Sequence, residues 1–327
     1  MSRCGPIFAL VLAGLGPSIE AADTPLDWFT HMDDAVRSLN YRGDLIHAHD
    51  GDVDSLEVVH ALRDGVEHER VTTLNGAAQE SIRRGDEFEV TTPRSTALPP
   101  DLLTMGNPLV AMLPEYRDVL AEHYEFRHRP DSGQVAGRRV HTLTMAARDE
   151  FRYGYRFQYD VETGLPLKYE LIDRAGRSLE TVMFSRIEVN SPLDAEAFRS
   201  RLTQSGREGF RTIRLARPSA GDSGVAVSES EARFGVERLP AGFYLTVVTR
   251  HDNMPGGAEH LVYTDGMASI SVFAEQHAQK RETMSGLLSM GVANAFGVRL
   301  GEYQITVIGE VPAATVERVG QSIKPRP

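Results

Sequence analysis

The chain has 327 residues, enough for two domains, with 41% hydrophobic and 25% charged residues, ordinary values for a soluble globular protein. A net charge of −11 excludes a general nucleic-acid binder, which needs positive charge facing phosphates. The single cysteine, Cys4, sits in the first few residues, so the rest of the chain has no disulfide, no thiolate metal site and no cysteine nucleophile.

The N-terminus reads as an export signal. Arg3 supplies the positive start, "IFALVLAGLG" is an apolar stretch too short to span a bilayer, and the small residues Ala21 and Ala22 mark the cut, giving a leader over 1–22. "TPLDWFTHMDDAVRSLNYRG" then predicts a helix over 25–39. Thr24 can cap it, Pro25 suits its first position, and Trp28, Met32, Ala35 and Leu39 recur at helical spacing. After it the period falls to two. "DLIHAHDG", "DSLEVVHALRDG", "EHERVTTLNG" and "QESIRRGDEFEVTTP" are short runs punctuated by Asp-Gly and Asn-Gly, the signature of hairpins. Arg42-Gly43-Asp44 and Arg84-Gly85-Asp86 both read as turns rather than adhesion motifs.

Residues 94–120 break this meander with a run rich in Pro, Leu and Met, read as loops and short helices. Leu102, Leu103, Met105, Leu109, Val110, Met112 and Leu113 cluster there. They suit either a mobile lid over an apolar site or a plug in the sheet's interior. Strands resume with "FRYGYRFQYD", where Phe151, Tyr153, Tyr155, Phe157 and Tyr159 share one face and Arg152, Gly154, Arg156, Gln158 and Asp160 the other. The apolar face continues through Leu165, Leu167, Tyr169 and Leu171. Burying each large side chain contributes about 1.5–3 kcal/mol, so something must cover this face. A packed helix can do so, with 25–39 the obvious candidate; an enclosed cavity holding an acyl chain can do so too.

"SLETVMFSRIEV" and "SPLDAEAFRSRL" follow as a strand and a short helix. Residues 206–230, rich in Gly, Ser, Pro and Arg, read as a linker between a large unit, 23–205, and a small one, 231–327. Its Arg207, Arg211, Arg214 and Arg217 are candidates to meet the carboxylates of an extended partner segment; the alternative is solvated charge. In the small unit "GFYLTVVTRHD", "HLVYTDG", "ASISVFAEQ" and "YQITVIGEV" are strands, "PAATVERVGQSI" is a terminal helix, and "ETMSGLLSMGVANAFGV" reads as loop.

Eleven histidines invite a metal reading. "HAHD" puts His47 and His49 on one strand face with Asp50 beside them, and a third ligand would have to come from elsewhere, such as His60. Zinc normally takes three or four protein ligands, so the expectation is hydrogen-bonded or exposed histidines, no metal and no cofactor. No GxSxG elbow, HExxH helix or P-loop is present, and no enzyme activity is expected.

A resemblance gathers these pieces. "LNYRGDLIH", "RRGDEFEVTTP", "ARDEFRYGYRFQYDVETGLPLKYELID", "RLPAGF" with "VYTDGMASISVFAEQ", and "ITVIGEVPAATVERVGQSI" together resemble the RseB/MucB family of periplasmic regulators of the envelope-stress sigma factor. One departure is "GVERLP", where the family often has an aromatic residue before its "LPAGF" element. The resemblance implies an α+β protein: an antiparallel half-open β-barrel wrapped on helices, like the lipoprotein carriers LolA and LolB, followed by a smaller α+β domain. It implies periplasmic binding of a RseA/MucA-type anti-sigma factor, shielding of that factor from site-1 proteolysis, and relief by the acyl chains of lipid, lipoprotein or lipopolysaccharide. Under it the aromatic face and the 102–113 cluster become the lipid cavity, and a second copy of the chain is a further partner to consider. A periplasmic lipid or lipoprotein carrier of the LolA type is the competing function. It shares the cavity but has no need of the second domain.

Overall fold

The computed structural model describes residues 24–95, 106–113, 120–202, 209–216, 225–226, 228–251, 257–276 and 284–326. The leader over 1–22, Leu102, Leu103, Met105, Arg207 and Arg217 lie outside them. Helix α1 (Pro25–Ser38) begins with a capping box: the Asp27 amide donates to Thr24 Oγ1, and the Thr24 amide donates back to Asp27 Oδ2 at 3.1 Å. Phe29, Met32, Ala35 and Val36 are buried, so the predicted apolar stripe is the packed face.

Strands β1 (Tyr41–His49), β2 (Asp52–Arg63), β3 (Val66–Thr73), β4 (Glu80–Arg84) and β5 (Glu87–Pro93) form the meander. Short helices α2 (Pro108–Ala111) and α3 (Leu120–His123) interrupt it. Then come β6 (Tyr124–Arg129), β7 (Gln134–Val135), β8 (Arg138–Ala147), β9 (Gly154–Asp160), β10 (Pro166–Ile172), β11 (Ser178–Val189) and β12 (Phe210–Ala216). They make one twelve-stranded antiparallel sheet in the order β12-β5-β4-β3-β2-β1-β11-β10-β9-β8-β6, with β7 beside β8. Among the described residues its two ends do not pair, so the barrel stays open.

One face wraps α1, α2 and α3. Phe29 meets Phe157 edge-on at 5.4 Å, and Phe157 meets Tyr169 at 5.5 Å. Around β2 and β3 the other face is covered as well. Phe198, in the 3-10 turn Ala195–Phe198, packs on Val59 and Ala61, and Arg70 is buried with its Nη2 donating to Glu57 at 2.6 Å.

Arg42-Gly43-Asp44 is not a turn but mid-strand in β1. A Cβ on Gly43 would come within 2.4 Å of the Arg186 carbonyl and 2.7 Å of the Phe184 ring, so the glycine serves close strand approach beside the register shift at Asp44/Leu45. Arg84-Gly85-Asp86 does bridge β4 and β5, with Gly85 at φ 58°. The segment read as linker contributes β12, paired along its length with β5. Its apolar alternation is limited to Ile213 and Leu215 and hidden among flanking Gly, Ser and Pro.

The small domain holds β13 (Val225–Ala226), β14 (Phe234–Val236), β15 (Tyr244–His251), β16 (Ala258–Thr264), β17 (Ser269–Gln276), β18 (Gly286–Met290), β19 (Ala293–Leu300), β20 (Tyr303–Gly309), helix α4 (Ala313–Gly320) and β21 (Ile323–Pro325). Seven of these strands form a second antiparallel sheet, order β13-β15-β16-β17-β20-β19-β18, and α4 buries Val316 and Val319 on it. The stretch read as loop is the β18–β19 hairpin. Its glycines and exposed Leu287, Leu288 and Met290 obscure the alternation because β18 is an edge strand exposed on both faces.

Candidate functional site

The two domains meet at the start of the aromatic stretch. Phe151, Arg152 and Tyr153 precede β9 rather than belonging to it, and all three face the small domain. Arg152 is fully buried, and its Nη1 lies 2.7 Å from Asp265 Oδ2, also fully buried. Tyr124 Oη donates to the same carboxylate oxygen at 3.0 Å, while Asp265 Oδ1 accepts from the Met267 and Ala268 amides at 2.9 and 2.8 Å. Arg152 Nη2 donates to the Ala241 carbonyl, and the guanidinium lies over the Phe243 ring at 5.1 Å. Such a pair is tolerable in low dielectric only because nearly every lone pair and proton has a partner. Thr315 Oγ1 donates to the Phe151 carbonyl at 2.7 Å, Arg318 stacks over the Phe151 ring at 5.0 Å, and Asn294 Nδ2 reaches Tyr153 Oη at 3.4 Å.

Beside this seam lies a cavity of about 680 Å³. The large domain lines it from β1 to β4 and β9 to β11, with Leu56, Val71, Tyr155, Tyr169 and Leu171 among the apolar walls. Pro108, Met112 and Leu113 of the α2 segment close one side, and Gly266–Ser269 and Glu310 of the small domain another. In a flat sheet β4 and β9 would stand about 29 Å apart; one pocket touches both because the sheet curls. Burial pushes the Tyr155 and Tyr169 hydroxyls well above the usual phenol range, so both stay neutral.

Four acid–base groups, His47, Glu80, Glu180 and Glu310, break the apolar lining. Glu180 is nearly buried, and its Oε1 lies 2.6 Å from His47 Nε2. Glu310, which keeps surface open to the cavity, is raised above the ordinary carboxylate range by desolvation first and by repulsion from Glu180 second.

The α2 segment is pinned by a buried polar clamp. Asn107 caps it through Oδ1 to the Leu109 amide at 3.1 Å, and its Nδ2 donates to Tyr41 Oη at 3.1 Å. The Asn107 amide donates to Glu69 Oε1 at 3.2 Å, and burial raises the Glu69 carboxyl.

Models of the MucB/RseB N-terminal domain and the MucB/RseB C-terminal domain match residues 24–202 and 228–324. The chain belongs to the MucB/RseB family. The sigma factor AlgU regulatory protein MucB of Pseudomonas aeruginosa is 30% identical over 94% of this chain and 93% of that one. The sigma-E factor regulatory protein RseB of Salmonella typhimurium is 27% identical over 97% and 96%. A crystal structure of MucB in complex with MucA(peri) superposes with TM-score 0.70 at 25% identity, covering 93% of this chain and all of that one. A MucA/MucB complex structure from Pseudomonas aeruginosa gives TM-score 0.71 at the same identity.

In this MucB/RseB member the residues proposed from sequence part company. Met112, Leu113 and Tyr155 line the cavity. Leu109 is 2% exposed and serves as core, with Val110 packed beside it. Phe157 and Tyr159 are core against α1 and His128, and Phe151 and Tyr153 belong to the seam. Arg211 and Arg214 stand on β12, Arg214 exposed and ion-paired with Glu89. Missed altogether were Arg152 with Asp265, and Glu180 with Glu310. An arginine inside an aromatic run was the one available signal, and Arg156 carries it equally; the others depend on which strands become neighbours.

Proposed function

We propose that this chain is a periplasmic negative regulator of envelope-stress sigma-factor signalling and not an enzyme. It binds the periplasmic region of a RseA/MucA-type anti-sigma factor, shields that region from site-1 proteolysis, and releases it when lipid or lipopolysaccharide acyl chains occupy the cavity. The observation that carries this reading is the near-complete overlay on a relative solved together with MucA(peri). The cavity supports its second half: an apolar pocket of about 680 Å³ falls in the usual size range for small-ligand sites. Because the small domain supplies part of its wall, filling it has a direct route to the domain arrangement, which favours a regulator over a simple carrier.

The working units are 23–205, extended to Ala216 by β12, and 231–327. Arg211 and Arg214 of β12 are proposed to meet carboxylates of an extended partner segment pairing with the outer edge of that strand, and Arg207 and Arg217, which flank it in sequence, are proposed to meet further carboxylates of the same segment.

The test is protection. The periplasmic fragment of the anti-sigma factor is incubated with site-1 protease, with and without the whole chain. Cleavage slowed in proportion to bound chain is expected; an unchanged cleavage rate at saturating chain sinks the reading. Met112→Asp separates the ligand from the partner. It places a charge in the cavity wall at a partly buried residue on the margin of the core, so fluorescent fatty-acyl binding falls about tenfold or more while fragment binding persists. Unchanged acyl binding in the folded variant would put the lipid elsewhere.

A further inference from the structure

His47 and His49 stand two residues apart on β1, so both imidazoles project from one face, with ring centroids 4.5 Å apart. Carboxylates on the two flanking strands meet them. Asp54 of β2 lies opposite His47 in register, and Glu180 of β11 lies opposite His49. The contacts run diagonally: His49 Nε2 is 3.1 Å from Asp54 Oδ2, and His47 Nε2 is 2.6 Å from Glu180 Oε1. One donor atom each from His47, His49 and Asp54 lies within 4.8 Å of the others. His60, the third ligand the sequence offered, is elsewhere. It is fully buried, stacked on Tyr41 at 4.8 Å and bonded to the Leu39 carbonyl and Glu67.

We propose that this cluster is a binding site for a divalent first-row transition metal of the zinc type, with His47 Nε2, His49 Nε2, Asp54 and Glu180 as its four ligands. Ligand atoms around a tetrahedral zinc ion stand about 3.3 Å apart, given bonds of about 2.0–2.1 Å. The His47, His49 and Asp54 donors lie within 4.8 Å of one another and Glu180 joins them through His47 at 2.6 Å; both imidazoles are partly exposed and Asp54 is exposed, so side-chain rotations that close these gaps bring the four onto one ion. Imidazole nitrogen with carboxylate oxygen selects zinc, nickel or copper over magnesium or calcium, which prefer oxygen alone. In the metal-free state each imidazole is paired with a carboxylate, and the ion would take the place of those contacts. It also answers a local excess of negative charge, since Glu180 is nearly buried and Glu310 faces the same cavity from the small domain.

The position gives the site a consequence. Asp50, in the turn after β1, abuts the small-domain hairpin at Gly291, where any Cβ would overlap its carboxylate. The proposed site therefore lies where the two domains touch.

The test is zinc titration of the chelator-stripped full chain by calorimetry, with cobalt absorption as an independent readout of ligand geometry. One equivalent per chain, micromolar or tighter, is expected, weakened at least roughly 100-fold by His47→Ala or His49→Ala. His31→Ala, an exposed imidazole on α1, should change nothing. Saturating zinc should raise the melting temperature of the wild type and not of the double variant, because the ion binds only the native arrangement. If His47→Ala fails to fold, His49→Gln, at a partly exposed position, carries the same comparison. Absence of saturable binding, or binding that survives loss of both imidazoles, overturns the proposal.

Discussion

Tyr155, Phe157 and Tyr159 bury their rings inside the large sheet, whereas Phe151, Arg152 and Tyr153, immediately upstream in the same alternating run, face the small domain. The first group is held by apolar burial and edge-on aromatic contacts, which tolerate small shifts in geometry. The second is held by a buried guanidinium–carboxylate pair and single hydrogen bonds, which do not. One stretch of sequence thus serves two physical purposes. A core is satisfied by volume, but a seam between domains that must dock in one register is specified by directional contacts.

The largest expected effects fall on the members of that comparison. Phe157→Ala should cost about 3–5 kcal/mol by opening a cavity among α1, β9 and β10, and no second change nearby should restore it. Arg152→Ala should cost a similar ~3–5 kcal/mol, because Asp265 is left charged, buried and short of a partner. Here a second change does help. Arg152→Met with Asp265→Asn removes both charges, while the amide oxygen can still accept from Met267 and Ala268 and its NH2 can meet Tyr124. Most of the loss should return. Urea unfolding followed by Trp28 fluorescence and by circular dichroism distinguishes the two regions. Trp28 is the only tryptophan and sits in the large domain, so the two probes should separate in Arg152→Ala and stay coincident in Phe157→Ala. Coincident probes in Arg152→Ala would show that the ion pair does not couple the domains.

Thr315→Val tests the seam more gently. It deletes the hydroxyl that donates to the Phe151 carbonyl while keeping the volume, and should cost about 1 kcal/mol. A loss as large as that of Arg152→Ala would mean the seam hangs on α4 rather than on the ion pair.

Glu69 brings the comparison into the interior, as a fully buried carboxyl in the polar clamp that holds α2. Its folded-state pKa is raised by burial above the unfolded value, so the native state holds more protons than the unfolded state. Its contribution therefore favours folding at low pH and weakens as pH climbs from about 4.3 toward the raised value. Glu69→Gln retains an acceptor for the Asn107 amide and removes that dependence. Its stability profile should be flatter than that of the wild type above about pH 4.3; an identical slope would mean that Glu69 is solvated in the native state.

The sequence made the local elements legible and left most of their neighbours obscure. Helix α1 followed from Thr24, Pro25 and a clean apolar stripe, and the early hairpins from Asp50-Gly51 and Asp64-Gly65, whose positive φ values are the turns themselves. Those signals are short-range. Gly43 misled because the same residue type serves a turn and a close strand approach, and only the partner strand β11 decides which. Strand β12 and the β18–β19 hairpin were lost because edge strands carry weak alternation. The cavity was half visible: Met112, Leu113 and Tyr155 follow from apolar patterning, but Glu180 reaches it only through the pairing of β11, and Met267 and Glu310 only after two domains dock. The histidine pair was seen and set aside, because its carboxylate partners come from flanking strands whose register the sequence leaves open.

The claim that joins cavity, seam and partner is that acyl ligand and anti-sigma segment oppose each other through this chain. Linkage requires that opposition to be mutual and equal. The direct measurement is calorimetric titration of the anti-sigma periplasmic fragment into the whole chain, alone and saturated with a lipid-A-like ligand. The account predicts binding that weakens about tenfold or more with the lipid present, a coupling of about 1.4 kcal/mol. Equal affinity in the two titrations would contradict it.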